Sequence, residues 1–173
     1  SAFAQSPDGG KLAFLSNEDG ISRLRVLDTA TGKPLPLPEL PVGVSGGLQF
    51  SPDGARIALS INTATSPSDV YVIDLAGAGL TRWTRSEVGG LDASQFVTPT
   101  LVRFKSFDGR SIPAFYYRPP GVPADRKVPV LINIHGGPEG HAQPSFSPTI
   151  QYQLRELGVA VLVPNCRPAA PST

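Results

Sequence analysis

One group of residues suited to chemistry follows an apolar run. His135, Gly136, Gly137 and Pro138 come directly after residues 128–134. Glycine lets the backbone approach a substrate closely, and its N–H can donate to an oxygen that gains negative charge. The apolar run predicts a strand that is buried on both faces and delivers this loop at its carboxyl end. The alternative is a glycine turn between a strand and a helix, in which His135 has only a structural role.

A second candidate is Ser45, the central residue of Gly-Val-Ser-Gly-Gly at 43–47. The segment matches the Gly-x-Ser-x-Gly pattern, in which a sharp strand-to-helix turn exposes a nucleophilic serine. Its context differs, because a proline-rich segment precedes it and the strand-like residues 48–50 follow it. A small esterase that uses Ser45 with His135 or His141 therefore stays open as an alternative.

Glu139 follows the glycine loop directly. Its carboxylate is a candidate for binding the amino terminus of a substrate. A solvated loop carboxylate is the commoner case.

Composition excludes several other functions. The chain has 15 Lys and Arg residues and 14 Asp and Glu residues. This balance gives no indication of binding to nucleic acid or to an anionic membrane. The single cysteine, Cys166, excludes an internal disulfide and a cysteine-rich zinc site. We therefore expect no cofactor, no metal, no nucleic acid and no membrane partner. The absence of a long apolar stretch predicts a cytoplasmic protein.

The first half of the chain contains an internal repeat. Ser-Pro-Asp-Gly occurs at residues 6–9 and, 45 positions later, at 51–54, and Asn17 matches Asn62 at the same spacing. Pro-Asp-Gly favours a tight turn, and the apolar residues after each copy favour a strand. A repeat of this length is typical of β-propeller blades. Because two blades do not close a ring, we expect either a piece of a longer chain or an unusual open arrangement.

The second half begins near residue 86 and has a different pattern. Residues 86–99 form a polar linker, and residues 100–107 and 112–118 predict a hairpin that turns at Asp108-Gly109. Pro113 inside the second hairpin strand indicates an edge position or a bulge.

A helix and a further strand should follow the glycine loop. Ser147 and Pro148 suit a helix start. Ile150, Leu154 and Leu157 fall on one helical face, and Gly158 is placed to end the helix. The apolar residues 159–163 then complete a strand–helix–strand unit, whose two strands should be parallel.

The order of these parts resembles the prolyl oligopeptidase family, and among its branches the acylaminoacyl-peptidase and dipeptidyl-peptidase-like enzymes. The resemblance covers residues 3–167 and ends on the Asn-x-Arg segment at 165–167. It implies a mixed β and α/β fold. Residues 1–85 would be the last two blades of a β-propeller, residues 86–99 a linker, and residues 100–173 the N-terminal part of an α/β-hydrolase domain.

The resemblance also implies a function and a site. Family members are serine hydrolases whose propeller restricts access to short peptides or peptide-like esters. By this resemblance the 135–138 loop borders the oxyanion hole, with the N–H of Gly136 or Gly137 as donor and His135 as loop support. Asn165 and Arg167 match the end of the family's next strand.

The chain departs from the family after Arg167. The family continues with a glycine-rich, tyrosine-containing segment, whereas this chain reads Pro-Ala-Ala-Pro-Ser-Thr at 168–173. The family's nucleophile, acid and histidine all lie beyond that point, so the resemblance implies the frame of the site without its triad. Neither His135 nor His141 would then be the catalytic histidine.

We therefore expect a serine hydrolase by descent, with a small peptide or ester substrate, whose activity as this chain alone is weak or absent. A second hypothesis is a propeller-derived interaction module that associates with itself or another chain through exposed strand edges. The third is the small esterase that uses Ser45, and a Ser45→Ala substitution separates it from the others.

Overall fold

The structure is a computed structural model that describes residues 3–136 and 140–165. These residues form three β-sheets, one short 3₁₀ helix and one α-helix. The elements in chain order are β1 (Phe3–Gln5), β2 (Lys11–Glu18), β3 (Ile21–Asp28), β4 (Gly43–Phe50), β5 (Arg56–Thr63), β6 (Ser66–Asp74), β7 (Gly79–Arg82), the 3₁₀ helix (Ala93–Gln95), β8 (Thr100–Lys105), β9 (Ser111–Tyr117), β10 (Val130–Ile132), α1 (Pro148–Arg155) and β11 (Ala160–Pro164).

The two sequence repeats form two antiparallel sheets of the propeller-blade type. The first has the order β1-β2-β3 and the second β4-β5-β6-β7. Both Ser-Pro-Asp-Gly turns close in the same way, because the glycine N–H donates to the serine carbonyl at 2.8 Å in each copy. The serine hydroxyl also donates to the aspartate at 2.5 Å in each copy. The repeated sequence therefore predicted a repeated local structure correctly.

The two blades pack against each other through alternate residues of their strands. Ile57, Leu59 and Ile73 of the second blade are almost completely buried, as is Val26 of the first. Leucines of the segment between the blades, including Leu37, fill the space beside them. This period-two burial is what strands with one packed face require.

The third sheet has the order β10-β11-β9-β8. Strands β8 and β9 form the predicted antiparallel hairpin, and β10 and β11 are parallel, as predicted for the strand–helix–strand unit. Helix α1 begins where expected, since the Ser147 hydroxyl accepts a hydrogen bond from the Ile150 N–H at 3.3 Å. Ile150 and Leu154 turn inward and join Val161 of β11 in a buried cluster.

The prediction that residues 128–134 are buried on both faces is wrong. Val130 and Ile132 of β10 are 50% and 59% exposed, and Ile134 is 67% exposed. The reason is the position of β10 at the sheet edge, where it pairs with β11 alone. Helix α1 packs over β11, the neighbouring strand.

The prediction that Pro113 lies in an edge strand or at a bulge is also wrong. It lies in β9, which has β8 on one side and β11 on the other, and the pairing of Arg103 with Pro113 keeps a regular register. The Pro113 carbonyl accepts from the Asn165 N–H at 3.0 Å, so the proline nitrogen faces the same side. Asn165 is the first residue after β11. The backbone N–H that Pro113 lacks would therefore lie at the end of the β9–β11 ladder.

The prediction that Leu157 continues the apolar helical face of Ile150 and Leu154 is wrong as well. The helix ends at Arg155, with Glu156 as its C-cap, so Leu157 lies beyond the last turn and is 57% exposed. Gly158 follows with a positive φ of 62°. In the described part of the chain no helix has the length and apolar character needed to cross a bilayer.

The blades and the third sheet share one core. Ile21 at the start of β3 and Ala64 at the β5–β6 turn are buried in the same cluster as Phe115, Tyr117 and Val161. The side chain of Gln151 crosses this junction from α1. Its amide nitrogen donates to the carbonyls of Ala64 and Val97 at 3.0 Å each, and its oxygen accepts from the Val97 N–H at 2.8 Å.

A buried carboxylate fixes the chain where it leaves the second blade. Asp69 in β6 forms an ion pair with Arg82, and it accepts hydrogen bonds from the Thr84 hydroxyl and the Ser86 N–H at 2.8 Å each and from the Ser66 hydroxyl at 3.1 Å. Burial raises the pKa of Asp69, but these hydrogen bonds outweigh it and lower the pKa to about 2.

We predict that the Asp69 network makes stability depend on acid. Because the pKa of Asp69 is lower in the folded chain, its contribution is present above the unfolded value of 3.8 and is lost as the pH falls towards 2. Asp69→Asn should lower the free energy of unfolding by about 2 kcal/mol at pH 7. The difference between the two proteins, measured by urea unfolding, should shrink between pH 4 and pH 2.

The matched control is Asp125→Asn, because Asp125 lies on an exposed loop. It should leave stability unchanged across this pH range. A constant difference between Asp69→Asn and the unsubstituted chain down to pH 2 would contradict the prediction.

Candidate functional site

The carboxyl ends of β10 and β11 form the candidate site. His135 and Gly136 follow β10, and Asn165 follows β11. Since the two strands are parallel, both ends reach the same edge of the sheet. In open α/β sheets, ligands bind at this edge. The topology therefore brings His135, Gly136 and Asn165 to the same edge of the sheet.

The His135 ring lies over the chain that follows it. Its Nδ1 is 3.3 Å from the Gly136 carbonyl oxygen. A Cβ on Gly140 would lie only 2.7 Å from this Nδ1 and 2.9 Å from the same carbonyl oxygen. A side chain at position 140 would therefore displace the imidazole or the Gly136 peptide, so glycine is required for this close approach.

Gly136 itself is exposed, and a Cβ placed on it would meet no atom within 4 Å. Its backbone is accessible to a substrate, as an oxyanion donor requires. Three other predicted residues of this loop, Gly137, Pro138 and Glu139, lie outside the described residues.

The segment after the loop is held by two asparagine side chains. The Ala142 N–H donates to Asn165 Oδ1 at 2.6 Å, and the Phe146 N–H donates to Asn62 Oδ1 at 2.7 Å. Asn165 directly follows β11 of the third sheet, whereas Asn62 lies in β5 of the second blade. The blades therefore take part directly in fixing residues 140–146.

The first blade touches the same segment through Gly20. This glycine has a φ of +87°, and a Cβ on it would lie 2.2 Å from the Ala142 carbonyl oxygen and 3.1 Å from the Phe115 ring. Asp19 beside it forms an ion pair with Arg103 of β8. The tip of the β2–β3 hairpin thus rests on the backbone of the segment and on the third sheet.

Ser45 lies elsewhere, within β4, and its N–H donates to the Ser22 hydroxyl at 2.9 Å. It is one of the polar residues that line an open groove, together with Ser60, Asn62 and Ser145. Neither His135 nor His141, both of which the structure describes, lines this groove. A serine within a strand also lacks the strand-to-helix turn of a nucleophile elbow.

Two other features bear on the chemistry. Burial raises the pKa of Tyr117 to about 12, and its side chain packs in the buried cluster with Phe115 and Val161. Among residues 3–136 and 140–165, no cluster of three or more His, Cys, Asp or Glu side chains is placed to hold a metal ion.

Sequence reasoning missed Asn62 and Gly20 as parts of this region. Asn62 was visible only as the repeat partner of Asn17, and Asn17 has a local role, accepting from the Gly20 N–H at 2.8 Å. Nothing in the spacing shows that the second copy reaches residue 146, because that contact spans 84 positions of the chain. A polar residue at a strand end was the only available signal.

No protein-family model matches the chain. The chain is 34% identical over 82 residues to the dual function macrocyclase-peptidase POPB of Amanita bisporigera, a match over 47% of this chain and 11% of that protein. It is 30% identical over 112 residues to prolyl oligopeptidase A of Galerina marginata, over 63% of this chain and 15% of the relative.

Solved structures share the fold over nearly the whole chain. A structure from a study of two prolyl endopeptidases matches with a TM-score of 0.78 and 24% identity, over 98% of this chain and 24% of its own length. Prolyl oligopeptidase B of Galerina marginata matches with a TM-score of 0.79 and 20% identity, and puromycin hydrolase with 0.78 and 23%. The match to prolyl oligopeptidase B extends over 98% of this chain, and the match to puromycin hydrolase over 94%. Each match takes in 24% of the solved protein.

The resemblance to the prolyl oligopeptidase family is thus confirmed. The chain spans about a quarter of the length of these solved structures and less of the two curated relatives. The sequence matches are to peptidases of this family, and the structural matches establish the fold.

We predict that Gly20 is essential for seating the first blade on residues 140–146. Gly20→Ala should clash with the Ala142 carbonyl oxygen and lower the free energy of unfolding by about 3 kcal/mol. Amide hydrogen exchange should also become faster across residues 140–146. Urea unfolding and exchange followed by mass spectrometry would measure both effects.

Gly32→Ala is the matched control. Gly32 also has a positive φ, of +67°, but a Cβ there would meet nothing within 4 Å. It should show only the backbone strain, about 1 kcal/mol, and no change in exchange near residue 142. Equal effects of the two substitutions would contradict the steric argument.

Proposed function

We propose that this chain is part of a serine hydrolase of peptidase or esterase type, and that it supplies the oxyanion side of the active site. The observation that carries the proposal is the exposed Gly136 peptide at the carboxyl end of β10, beside the end of the parallel strand β11. The 34% identity to a macrocyclase-peptidase supports the reaction class. The substrate class is a short peptide or a peptide-like ester.

The chemistry follows from acyl transfer. When a nucleophile attacks a carbonyl carbon, negative charge develops on the carbonyl oxygen, and a fixed N–H donor stabilises that oxygen more than the ground state. The N–H of Gly136 or Gly137 is assigned this role. His135 supports the loop by packing its ring over Gly140 and the Gly136 carbonyl.

The fold assignment behind this proposal is the N-terminal part of an α/β-hydrolase domain. The support is the sheet order, with an antiparallel hairpin, β8 and β9, beside the parallel pair β10 and β11. Acyl transfer also needs a nucleophile and a base. The groove at Ser45 is lined by hydroxyl, amide and apolar groups and by no imidazole of the described residues. We therefore assign this chain alone little or no turnover.

A chimera tests the proposal. The chain would replace the matching quarter of prolyl oligopeptidase B from Galerina marginata. We expect the chimera to hydrolyse a peptide substrate of the host. In it, Gly136→Pro should lower kcat about 100-fold with little change in KM, because the substitution removes one N–H donor. Gly136→Ala is the control, since it keeps the N–H and its Cβ enters open space.

The chain alone gives the second control. It should hydrolyse a p-nitrophenyl ester no faster than its Ser45→Ala variant and should form no adduct with a serine-reactive phosphonate by intact mass. An adduct on Ser45 would instead favour the small esterase. A folded chimera without turnover would contradict the hydrolase proposal, and a Gly136→Pro chimera with unchanged kcat would contradict Gly136 as donor.

A second candidate function, an interaction module, has one observation in its favour. The Ala160 N–H donates to the Pro129 carbonyl at 2.9 Å, and the Asn133 N–H donates to the Leu162 carbonyl at 2.8 Å. Residues 129 and 133 therefore face β11, and the peptide groups of Val130 and Ile132 face outward. An apolar strand with outward N–H and C=O groups is a template for pairing.

We predict that two copies of this chain pair through β10. Sedimentation velocity should show a dimer whose fraction rises with protein concentration. Ile132→Lys should shift the population to monomer, because it places a charge at the pairing edge. Val42→Lys is the control. Val42 is 48% exposed and belongs to the segment that joins the two blades, away from β10 in the chain, so this substitution should leave the dimer intact. A monomer at all concentrations would refute self-association.

A further inference from the structure

A groove between the linker and helix α1 is separate from the residues assigned so far. It encloses about 330 Å³, which is within the range of small-molecule sites. None of Ser45, His135 or Gly136 lines it. Its apolar lining residues are Val88, Leu91, Phe96, Phe146, Pro148 and Tyr152.

The groove has a fixed floor and an open rim. Phe96 is 8% exposed, and its ring contacts that of Phe146 with 5.4 Å between centroids. Gln151 stabilises the floor, because its side chain is fully bonded to Val97 and Ala64. Leu91 and Tyr152 at the rim are 57% and 56% exposed. The groove thus offers an aromatic ring a preformed apolar surface with one open side.

The charges around the groove favour a positively charged ligand. Glu87 and Glu156 line it, and neither forms an ion pair with another residue of the described chain. The one cation in the lining, Arg155, donates to Gln95 Oε1 at 2.5 Å. Hydrogen bonds from Ser94 and Gln95 lower the pKa of Asp92, and the charge of Arg155 adds to this effect. The carboxyl end of α1, at Glu156, adds further negative potential.

We propose that this groove binds a compact aromatic amine in its protonated form. The ring would lie on Phe96 and Phe146, and the ammonium group would lie between the carboxylates of Glu87 and Glu156. The inference does not depend on hydrolase activity, because it uses residues of the linker and α1 that have no part in the proposed acyl transfer.

Three probes of equal shape and different charge test the site on the full chain. They are 2-phenylethylammonium, neutral 2-phenylethanol and anionic phenylacetate, titrated while amide chemical shifts are followed by NMR. The amides of Val88 and Tyr152 should shift with all probes that bind. The cation should bind about fivefold more tightly than the alcohol, and the anion more weakly than both.

Two variants separate charge from shape. The double substitution Glu87→Gln with Glu156→Gln keeps the volume and removes both charges, so it should abolish the preference for the cation and leave the affinity of 2-phenylethanol unchanged. Leu91→Ser should weaken all three probes, since it removes apolar rim contact. Glu39→Gln, which removes an exposed carboxylate outside the groove, is the control and should change nothing.

Each of three outcomes would overturn the proposal. The first is no shift at Val88 or Tyr152 with any probe up to 10 mM. The second is a cation that binds no better than the anion. The third is a cation preference that survives the double glutamine substitution, because the carboxylates would then have no role. Far-UV circular dichroism of each variant would verify that the fold is retained.

Discussion

The hydrogen bonds of the buried Gln151 side-chain amide are the interaction on which the arrangement of the second blade, the linker and α1 depends. One helical residue bonds to the second blade at Ala64 and to both polar backbone groups of Val97 in the linker. A buried amide that lost these partners would keep its desolvation cost without compensation. These three hydrogen bonds therefore hold the blade, the linker and α1 in one mutual position, and they stabilise the floor of the groove between the linker and α1.

The repeat shows how one sequence pattern can serve two purposes. Both Ser-Pro-Asp-Gly turns have the same hydrogen bonds, since those bonds form within a few residues. The matching asparagines differ, because Asn17 closes its own hairpin turn while Asn62 reaches the Phe146 N–H. The two blades thus have equivalent internal structure but different neighbours. Gly20 and Asn62 give each hairpin end its own contact with residues 140–146.

Local signals in the sequence predicted the elements, and non-local contacts decided the rest. The tight turns, the β8–β9 hairpin, the Ser147 cap and the parallel pair were all predictable, because their causes lie within short stretches of chain. Gln151 was not predicted, since a polar residue on a helix is ordinarily exposed. The burial of β10 was predicted wrongly because an apolar run shows only what a strand is suited to contact. What covers it depends on its place in the sheet, and β10 is at the edge.

The same edge position has a chemical consequence. The hydrogen bonds of β10 to β11 fix residues 129–133, and the side chain of Asn165 at the end of β11 fixes Ala142. The chain on both sides of the glycine loop is therefore anchored to one strand, β11, which is itself bonded to β9. The oxyanion role proposed for Gly136 needs a donor that is held in place before charge develops, and a strand paired on both sides gives that rigidity. Although β10 is exposed, the chain that enters and leaves the glycine loop is therefore held by its hydrogen bonds to β11 and to Asn165.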